Sequence, residues 1–256
     1  MSRLHRNAEL ERRIQERIET RMAARWERKL RSTLRKASRE AATEYSRGAS
    51  IDAAVQKQNA DIKKALEAMY EQAFTSMGER IDRQWQSAKG YRPTGKKEMS
   101  DTFLRAMRAF ITRWVAKKVV DISSATVNIL QGVVQSSIED GLSVVETAKI
   151  IRQKGEQFAG YRANLIARTE IHSASQAGSL SATQQVGGDI IKEWVPVMDD
   201  RTRDGDNSDF DHTNVASVPL NEPFIVSGEA LMYPGDPAGS AGNVINCRCA
   251  MTYIMR

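Results

Sequence analysis

A long stretch without helix breakers constrains the fold of this chain more than any other feature. Neither proline nor glycine occurs between Leu4 and Tyr45, and alanine, leucine, glutamate and arginine dominate there. Because these residues favour or tolerate a helix, the sequence predicts one long helix over this stretch. Its apolar residues recur every four positions, at Leu10, Ile14, Ile18, Met22, Trp26, Leu30 and Leu34.

This apolar row winds around the predicted helix. With about 3.6 residues per turn, a spacing of four drifts by about 40° at each step. A straight dimer seam would need alternating spacings of three and four residues. The helix is therefore better suited to crossing a curved or composite surface than to forming a coiled-coil dimer.

The positive charge of the chain is concentrated at its start. Residues 1–50 contain 14 lysines and arginines against 7 aspartates and glutamates, whereas the whole chain has a net charge of +6. Such a cluster can bind phosphates or an acidic protein surface. A solvated helix with internal ion pairs, such as Glu27 with Arg31, would explain it as well. The predicted contact residues for nucleic acid or a partner protein are Arg12, Arg13, Arg17, Arg21, Arg25, Arg28, Lys29, Arg31, Arg35 and Lys36.

A second helix is predicted from Ile51 to Ala88, with Ser50 or Asp52 as its N-cap. The segment 89–98 combines glycine, proline, lysine and threonine, and is the clearest linker in the chain. We therefore divide the chain into a basic N-terminal helical arm over 1–88, a linker over 89–98 and a domain over 99–256.

The predicted domain begins with helices. Ser100 can cap a helix through about residue 120, with a further helix or a continuation over 121–139. Ser143 and Glu146 have the capping-box spacing, which predicts a short helix to about residue 154. Residues 162–186 are the next predicted helix, and its small side chains would allow a neighbouring element to approach closely.

Strands follow these helices. Gly187 and Gly188 mark a change of period, and strands are predicted over 190–197, 224–226 and 250–254. The predicted fold class is α+β, with long N-terminal helices followed by a helical region and a small antiparallel sheet at the C-terminus.

The last third of the chain contains an ordered series of polar and turn residues. The series is Arg168-Thr169-Glu170, Trp194, Asp199, Arg201, His212, Pro234-Gly235-Asp236-Pro237 and Asn246-Cys247-Arg248-Cys249. Each piece alone is common, but the order and spacing together are specific. In them the chain resembles the C-terminal domain of phage Mu F-like and SPP1 gp7-like minor head proteins, over about residues 105–255.

This resemblance implies a function in the head of a tailed phage. A minor head protein of this kind associates with the portal in several copies and acts in head assembly, DNA packaging or DNA ejection. The implied partners are the portal protein, the capsid interior and double-stranded DNA, and the basic arm would make these contacts. We expect synthesis in the host cytoplasm and a final place inside the virion. No run approaches about 18 apolar residues, so no transmembrane helix is predicted.

His212, Cys247 and Cys249 are the candidate metal ligands. One imidazole and two thiolates form a partial zinc shell, which a carboxylate such as Asp199 or Asp211 could complete. Alternate residues on a strand face the same side, so both sulfurs can face one ion. The Cys-x-Cys spacing is tighter than in most structural zinc sites, and simple burial explains the cysteines as well. If zinc binds, we expect it to be structural.

The other residues of the series are predicted to be structural. Arg168 and Glu170 diverge by about 200° on a helix, so a buried arginine–carboxylate pair would involve one of them with another element. Asp199 is predicted to pair with Arg201 or Arg203 in a solvated acidic loop. The turn at 234–237 is predicted to position the final strand. His172 is predicted to be packed or half-exposed.

The chain shows no recognisable catalytic motif. It lacks the Gly-x-Ser-x-Gly, P-loop and His-Glu-x-x-His patterns, so we predict no catalytic residues and no enzymatic activity. Two alternatives stay open. One is a virion-borne enzyme, either metal-dependent or similar to an ADP-ribosyltransferase, which would use the Arg-Thr-Glu segment. The other is a plain DNA-binding protein without a role in the capsid, which would need only the basic arm.

Overall fold

The computed structural model describes residues 2–4, 7–88 and 99–256, so the predicted linker over 89–98 lies outside the described residues. The helices are α1 Ala8–Ser46, α2 Ile51–Gln56, α3 Asn59–Ala88, α4 Asp101–Glu139, α5 Val144–Gln184 and α6 Ala241–Val244. The strands are β1 Ser2–Arg3, β2 Ile190–Val195, β3 Val218–Pro219, β4 Phe224–Val226, β5 Glu229–Leu231 and β6 Ala250–Met255. The predicted α+β class is confirmed, because long helices precede a small antiparallel sheet.

The helices begin at polar caps that satisfy their first N–H groups. The Ser50 hydroxyl accepts the amide of the third residue of α2, and Ser100 does the same for α4. At the start of α5 the predicted capping box is confirmed. Ser143 Oγ accepts the Glu146 amide at 3.3 Å, and the Glu146 carboxylate accepts the Ser143 amide at 2.8 Å. Sequence reasoning missed Asn7, whose Oδ1 accepts an amide of the first turn of α1.

The helix boundaries differ from the prediction in two places. The second helix is divided into α2 and α3 by a short turn at 57–58, whereas α5 runs without the predicted break near 155–161. Gly155 lies within α5, where an added Cβ would be 2.1 Å from Ser38 Cβ. This glycine therefore permits a close crossing with α1 and does not end the helix.

The chain forms two compact units, and each contains segments from both sides of the predicted linker. We name Met1–Met22, Tyr70–Phe110 and Arg168–Arg256 the sheet unit, and Ala23–Met69 and Ile111–Ala167 the helical unit. The division into an arm over 1–88 and a domain over 99–256 stays a prediction. Among the described residues, no helix is both long and apolar enough to span a membrane.

One core cluster of the helical unit is formed by apolar faces of α1, α2, α4 and α5. It combines alanines with larger aliphatic side chains. The buried residues are Ala41, Ala42, Ile51, Ala54, Val55, Val127, Leu130, Ala148 and Ile151. Arg162 donates to Thr126 Oγ1 and to the Ile122 carbonyl at 2.9 and 3.0 Å, which links α5 to α4.

The sheet unit has an aromatic core between its helices. Phe74 packs edge-on against Phe103, with ring centroids 5.1 Å apart, and Tyr70 packs similarly against Phe110. The prediction that small residues on α5 permit close contact is confirmed at Gly178. A Cβ added there would lie 2.2 Å from the Phe74 carbonyl oxygen.

The sheet places the C-terminal strand at its centre. Its order is β1-β6-β2-β3, and every neighbouring pair is antiparallel. In the central pair, Ile190 lies opposite Met255 and Val195 opposite Ala250. A separate hairpin joins β4 to β5 through Ser227 and Gly228, which both have positive φ angles, as the tightest hairpin turns require.

Candidate metal centre

The structure brings the three predicted ligands together inside the sheet unit. His212, Cys247 and Cys249 are all buried, and their ligand atoms lie within 4.8 Å of one another. His212 Nδ1 is 3.8 Å from Cys247 Sγ and 3.6 Å from Cys249 Sγ. The two cysteines are free thiols. The cluster therefore joins the loop after β2 to the segment that leads into β6.

The side chain of Asn243 determines which nitrogen of His212 faces the sulfurs. His212 Nε2 is 3.0 Å from Asn243 Oδ1, and the amide nitrogen of Asn243 donates to the Val226 carbonyl at 3.3 Å. Because that amide orientation presents an oxygen to the ring, Nε2 carries the hydrogen. The lone pair of Nδ1 is consequently directed to the two cysteines.

Polar donors also surround Cys249. The Trp194 indole N–H is buried without a conventional hydrogen-bond partner, and it lies beside this sulfur. The Val197 amide is a second donor to it. Trp194 packs edge-on against the His212 ring, with centroids 5.5 Å apart. The indole thus contributes both a wall and a donor to the cluster.

These surroundings shift the pKa values of the two thiols in opposite directions. The contact with Cys249 and burial together raise the pKa of Cys247 to about 11. Burial opposes ionisation of Cys249 too, but the contacts with Cys247, Trp194 and the Val197 amide outweigh it and lower its pKa. Cys249 is therefore the thiol better prepared to become a thiolate.

His172 is a fourth member of this neighbourhood, and sequence reasoning missed it as one. It lies on α5, is 3% exposed, and its ring contacts the Cys247 thiol. Nδ1 is 2.8 Å from Glu19 Oε2, whereas the buried Nε2 has no hydrogen-bond partner. Burial opposes a positive charge on the ring, but the Glu19 carboxylate outweighs it and raises the pKa of His172 to about 10. A histidine two positions after Glu170 gave no spacing signal that could have indicated this contact.

Asp199, predicted as the fourth ligand, is engaged elsewhere. Its carboxylate accepts two hydrogen bonds from Arg248, at 2.8 and 2.5 Å, and lies 3.4 Å from Arg201. The Arg248 guanidinium holds the pKa of Asp199 well below its usual range. Asp211 accepts hydrogen bonds from Thr213 instead. Among the described residues, the cluster around His212 contains no carboxylate.

The Arg-Thr-Glu segment of α5 has structural partners. Glu170 is buried and accepts a hydrogen bond from the Tyr70 hydroxyl of α3. Thr169 Oγ1 accepts the amide of Asn246 at 3.2 Å, and Asn246 has a positive φ of 56°. Arg168 is half-buried and has no ion pair among the described residues. The segment therefore connects α5 to α3 and to Asn246, and the buried arginine–carboxylate pair predicted for it stays a prediction.

The turn at 234–237 lies against α5. Asp236 is buried, and its two oxygens accept the amides of Met232 and Ala238, which closes the turn. Gly235 has a φ of 74°, and an added Cβ would be 2.6 Å from His172 Cδ2. The turn thus forms one wall beside the His172 ring.

The predicted contact residues of α1 differ in their exposure. Arg12 is buried and bonded to Glu9 and Glu16, so it offers no free guanidinium to an external partner. Arg31 is half-buried and paired with Glu27. The remaining predicted residues are exposed, namely Arg13, Arg17, Arg21, Arg25, Arg28, Lys29, Arg35 and Lys36.

One part of α1 forms a basic groove in the helical unit. The groove has a volume of about 590 Å³ and is lined by Arg28, Arg31, Ser32, Arg35, Lys36, Arg39 and Glu40. Lys36 is paired with Asp61 and Arg39 with Glu156, at 2.9 and 2.7 Å. Arg28 and Arg35 have no ion pair among the described residues. Two guanidinium groups thus remain available for an anion.

Comparison with known protein families identifies the region that contains the metal-ligand cluster. Residues 128–252 match the family described as Phage Mu protein F like protein. The match extends from within α4 into β6, and it includes His172, His212, Cys247 and Cys249. This region therefore matches the phage Mu F-like head morphogenesis family, as the resemblance implied.

A curated relative covers a similar share of the chain. The uncharacterized protein YqbB of Bacillus subtilis (strain 168) is 27% identical over 150 residues, which are 57% of this chain and 48% of that protein. The chain thus spans about half the length of the curated relative it matches. No solved structure matches the chain.

Proposed function

We propose that this protein is a minor structural protein of a tailed-phage head that associates with the portal. The family match over residues 128–252 supports this proposal, because the family is one of phage head morphogenesis. The structural surroundings of the Arg-Thr-Glu segment are consistent with it, since Glu170 and Thr169 are engaged in packing contacts. A scaffold role without enzymatic activity stays our prediction.

Portal association is tested by co-expression with the portal protein of the same phage. We expect the two proteins to co-purify as a ring with several copies of this chain. The variant Arg28→Glu/Arg35→Glu should weaken co-purification if the basic groove makes the contact, because it reverses two unpaired charges. Arg105→Glu/Arg108→Glu on α4 is the matched control, since both arginines are exposed and the charge change is equal.

Two outcomes would contradict the proposal. The first is the absence of this chain from portal complexes and from purified particles under conditions in which portal rings form. The second is turnover by the purified protein of nicotinamide dinucleotide, or of plasmid with a divalent metal, that Glu170→Ala abolishes. If the groove variant and its control co-purify equally well, the portal contact does not involve the groove on α1. That result would not contradict association with the head.

A second proposed function is contact with double-stranded DNA at the basic groove. Arg28 and Arg35 are separated by seven residues, so they lie two turns and about 10 Å apart on the same side of α1. A row of guanidinium groups at this spacing can neutralise neighbouring phosphates and release their counterions. The groove is lined by charged residues and one serine, which suits a backbone contact without base recognition.

A further inference from the structure

We propose that the sheet unit holds one structural zinc ion bound by His172, His212, Cys247 and Cys249. The sequence indicated three of these ligands, and the structure assigns the fourth to a helix residue that precedes them by 40 positions or more. This inference does not depend on the portal or on DNA. It concerns how the family domain is held together.

The spacing of the three clustered atoms fits a tetrahedral ion. Zinc–sulfur bonds of about 2.3 Å and zinc–nitrogen bonds of about 2.0 Å at a tetrahedral angle place nitrogen and sulfur about 3.5 Å apart. The observed separations of His212 Nδ1 from the two sulfurs are 3.6 and 3.8 Å. An ion can therefore occupy the space between these atoms without a rearrangement of the backbone.

We assign the fourth position to His172, whose ligand atoms lie outside the group of atoms within 4.8 Å of one another, so its side chain would approach the ion on binding. Its Nε2 is buried, has no hydrogen-bond partner, and belongs to a ring that contacts Cys247. A buried nitrogen without a partner is costly, and a metal bond would remove that cost. Gly235 lies against the edge of the ring that carries this nitrogen, since an added Cβ would be 2.6 Å from Cδ2 and 3.2 Å from Nε2. A glycine at this position therefore leaves space beside Nε2.

Glu19 positions His172 for this role. Its Oε2 is 2.8 Å from His172 Nδ1, and its Oε1 accepts a hydrogen bond from Gln176 at 3.0 Å. Gln176 in turn accepts the amide of Met251 on β6. A carboxylate on the second ring nitrogen is the usual outer partner of a zinc-bound histidine, because it orients the ring and increases its basicity. Glu19 lies on α1, outside the region matched by the family.

The other ligands have outer partners of the same kind. Asn243 orients His212 through Nε2, and the Val197 amide donates to Cys249. His172 would release its Nε2 proton on binding zinc. Two thiolates and two neutral imidazoles would then leave the zinc complex without net charge. A neutral complex lowers the cost of burial compared with an isolated ion. With four protein ligands the shell would be closed, which suits a structural site and leaves no position for a substrate.

Zinc analysis of the purified full-length chain tests the proposal. We expect one zinc per chain by elemental mass spectrometry, and a tetrahedral spectrum with thiolate charge-transfer bands after replacement by Co²⁺. His172→Ala should reduce zinc affinity by about 100-fold or more, measured by competition with a chromophoric chelator. Glu19→Gln should reduce it by about 10-fold, as outer-partner changes do. Asp199→Asn is the matched control and should retain the affinity of the unchanged protein.

His172→Cys distinguishes a lost ligand from a misfolded variant. This variant should bind zinc and should shift the Co²⁺ charge-transfer bands, because three thiolates then surround the ion. The proposal is overturned if the unchanged protein binds no zinc. It is also overturned if His172→Ala binds as tightly as the unchanged protein, or if Asp199→Asn is the variant that loses the ion.

Discussion

Around His212 in the sheet unit, polar side chains are buried and several have neighbours that orient them. Along α1 in the helical unit, charged side chains are exposed, and Arg28 and Arg35 have no ion pair among the described residues. The stability of a buried polar cluster depends on the distances between its atoms, because each buried polar group without a hydrogen-bond partner costs free energy. The affinity of an exposed basic groove for an anion depends on the net charge of the groove, and salt screens this attraction. Substitutions that change side-chain shape should therefore affect the first region most, and substitutions that change charge should affect the second most.

The largest expected effect comes from adding one methyl group within the sheet unit. Gly178→Ala should lower the free energy of unfolding by about 3 kcal/mol, since its Cβ would lie 2.2 Å from a backbone carbonyl of α3. Gly132→Ala is the matched control on α4, where an added Cβ meets nothing within 4 Å. It should stabilise the protein by about 1 kcal/mol. Urea denaturation of both variants measures the difference, and equal effects would contradict the comparison.

Substitution of Arg12 tests whether a basic residue of α1 can stabilise the fold as a buried side chain. Its side chain is 5% exposed, whereas that of Arg13 is 67% exposed. Arg12→Gln should cost about 2 kcal/mol of unfolding free energy, because it removes packing and three charged hydrogen bonds. Arg13→Gln should change stability by less than about 0.5 kcal/mol. Thermal unfolding of the two variants measures this, and a larger loss for Arg13→Gln would refute the assignment.

The basic groove should respond to salt. For labelled duplex DNA, Arg28→Gln/Arg35→Gln should reduce affinity about tenfold, and the slope of log affinity against log salt should become shallower by about 1.8. Arg105→Gln/Arg108→Gln should leave both quantities near those of the unchanged chain. Fluorescence anisotropy at several salt concentrations gives both. Loss of affinity without a change in slope would mean that the groove arginines do not contact phosphates.

The smallest expected effect is the acid dependence at Glu9. The hydrogen bond from Arg12 lowers the pKa of Glu9 from 4.5 to about 2. The ionised carboxylate therefore favours the folded state above pH 4.5, and this contribution is lost as the pH falls from 4.5 to 2. Glu9→Gln should show a slightly smaller loss of stability over that interval than the unchanged protein. Melting temperatures measured at pH 5, 4 and 3 test this. Between pH 5 and pH 3 the melting temperature of Glu9→Gln should fall by on the order of one degree less than that of the unchanged protein.

Local signals predicted much of the fold. The serines at 50, 100 and 143 cap helices as expected, because a cap depends on residues only three positions away. The strands at 190, 224 and 250 were found from β-branched and aromatic runs. The predicted helix end near residue 154 was wrong, because α5 continues through Gly155. A glycine that ends a helix and one that admits a neighbouring helix look alike in sequence.

The metal-ligand cluster was predictable only in part. Cys247 and Cys249 are close together in sequence, and His212 lies in an acidic loop, so the sequence indicated these three residues as metal ligands. The choice of Asp199 as fourth ligand was not supported, because Arg248 takes its carboxylate. No local pattern predicts which distant residue will be nearest to a given side chain. His172 could be recognised only once α5 was placed against the final segment.

The sequence by itself determined the helices, their caps, the class of fold and the family resemblance of the C-terminal region, since these depend on local spacing and residue type. The tertiary structure decided which polar residues are buried. Lys192 is an example, since strand alternation places it beside Ile190 and Trp194 on the inner face, fully buried, with its Nζ donating to the Met232 carbonyl at 2.6 Å. Burial lowers the pKa of this lysine to about 8. The segments that exclude water from a buried polar group, and the partners that offset its cost of burial, are distant in sequence. Only packing brings those segments together.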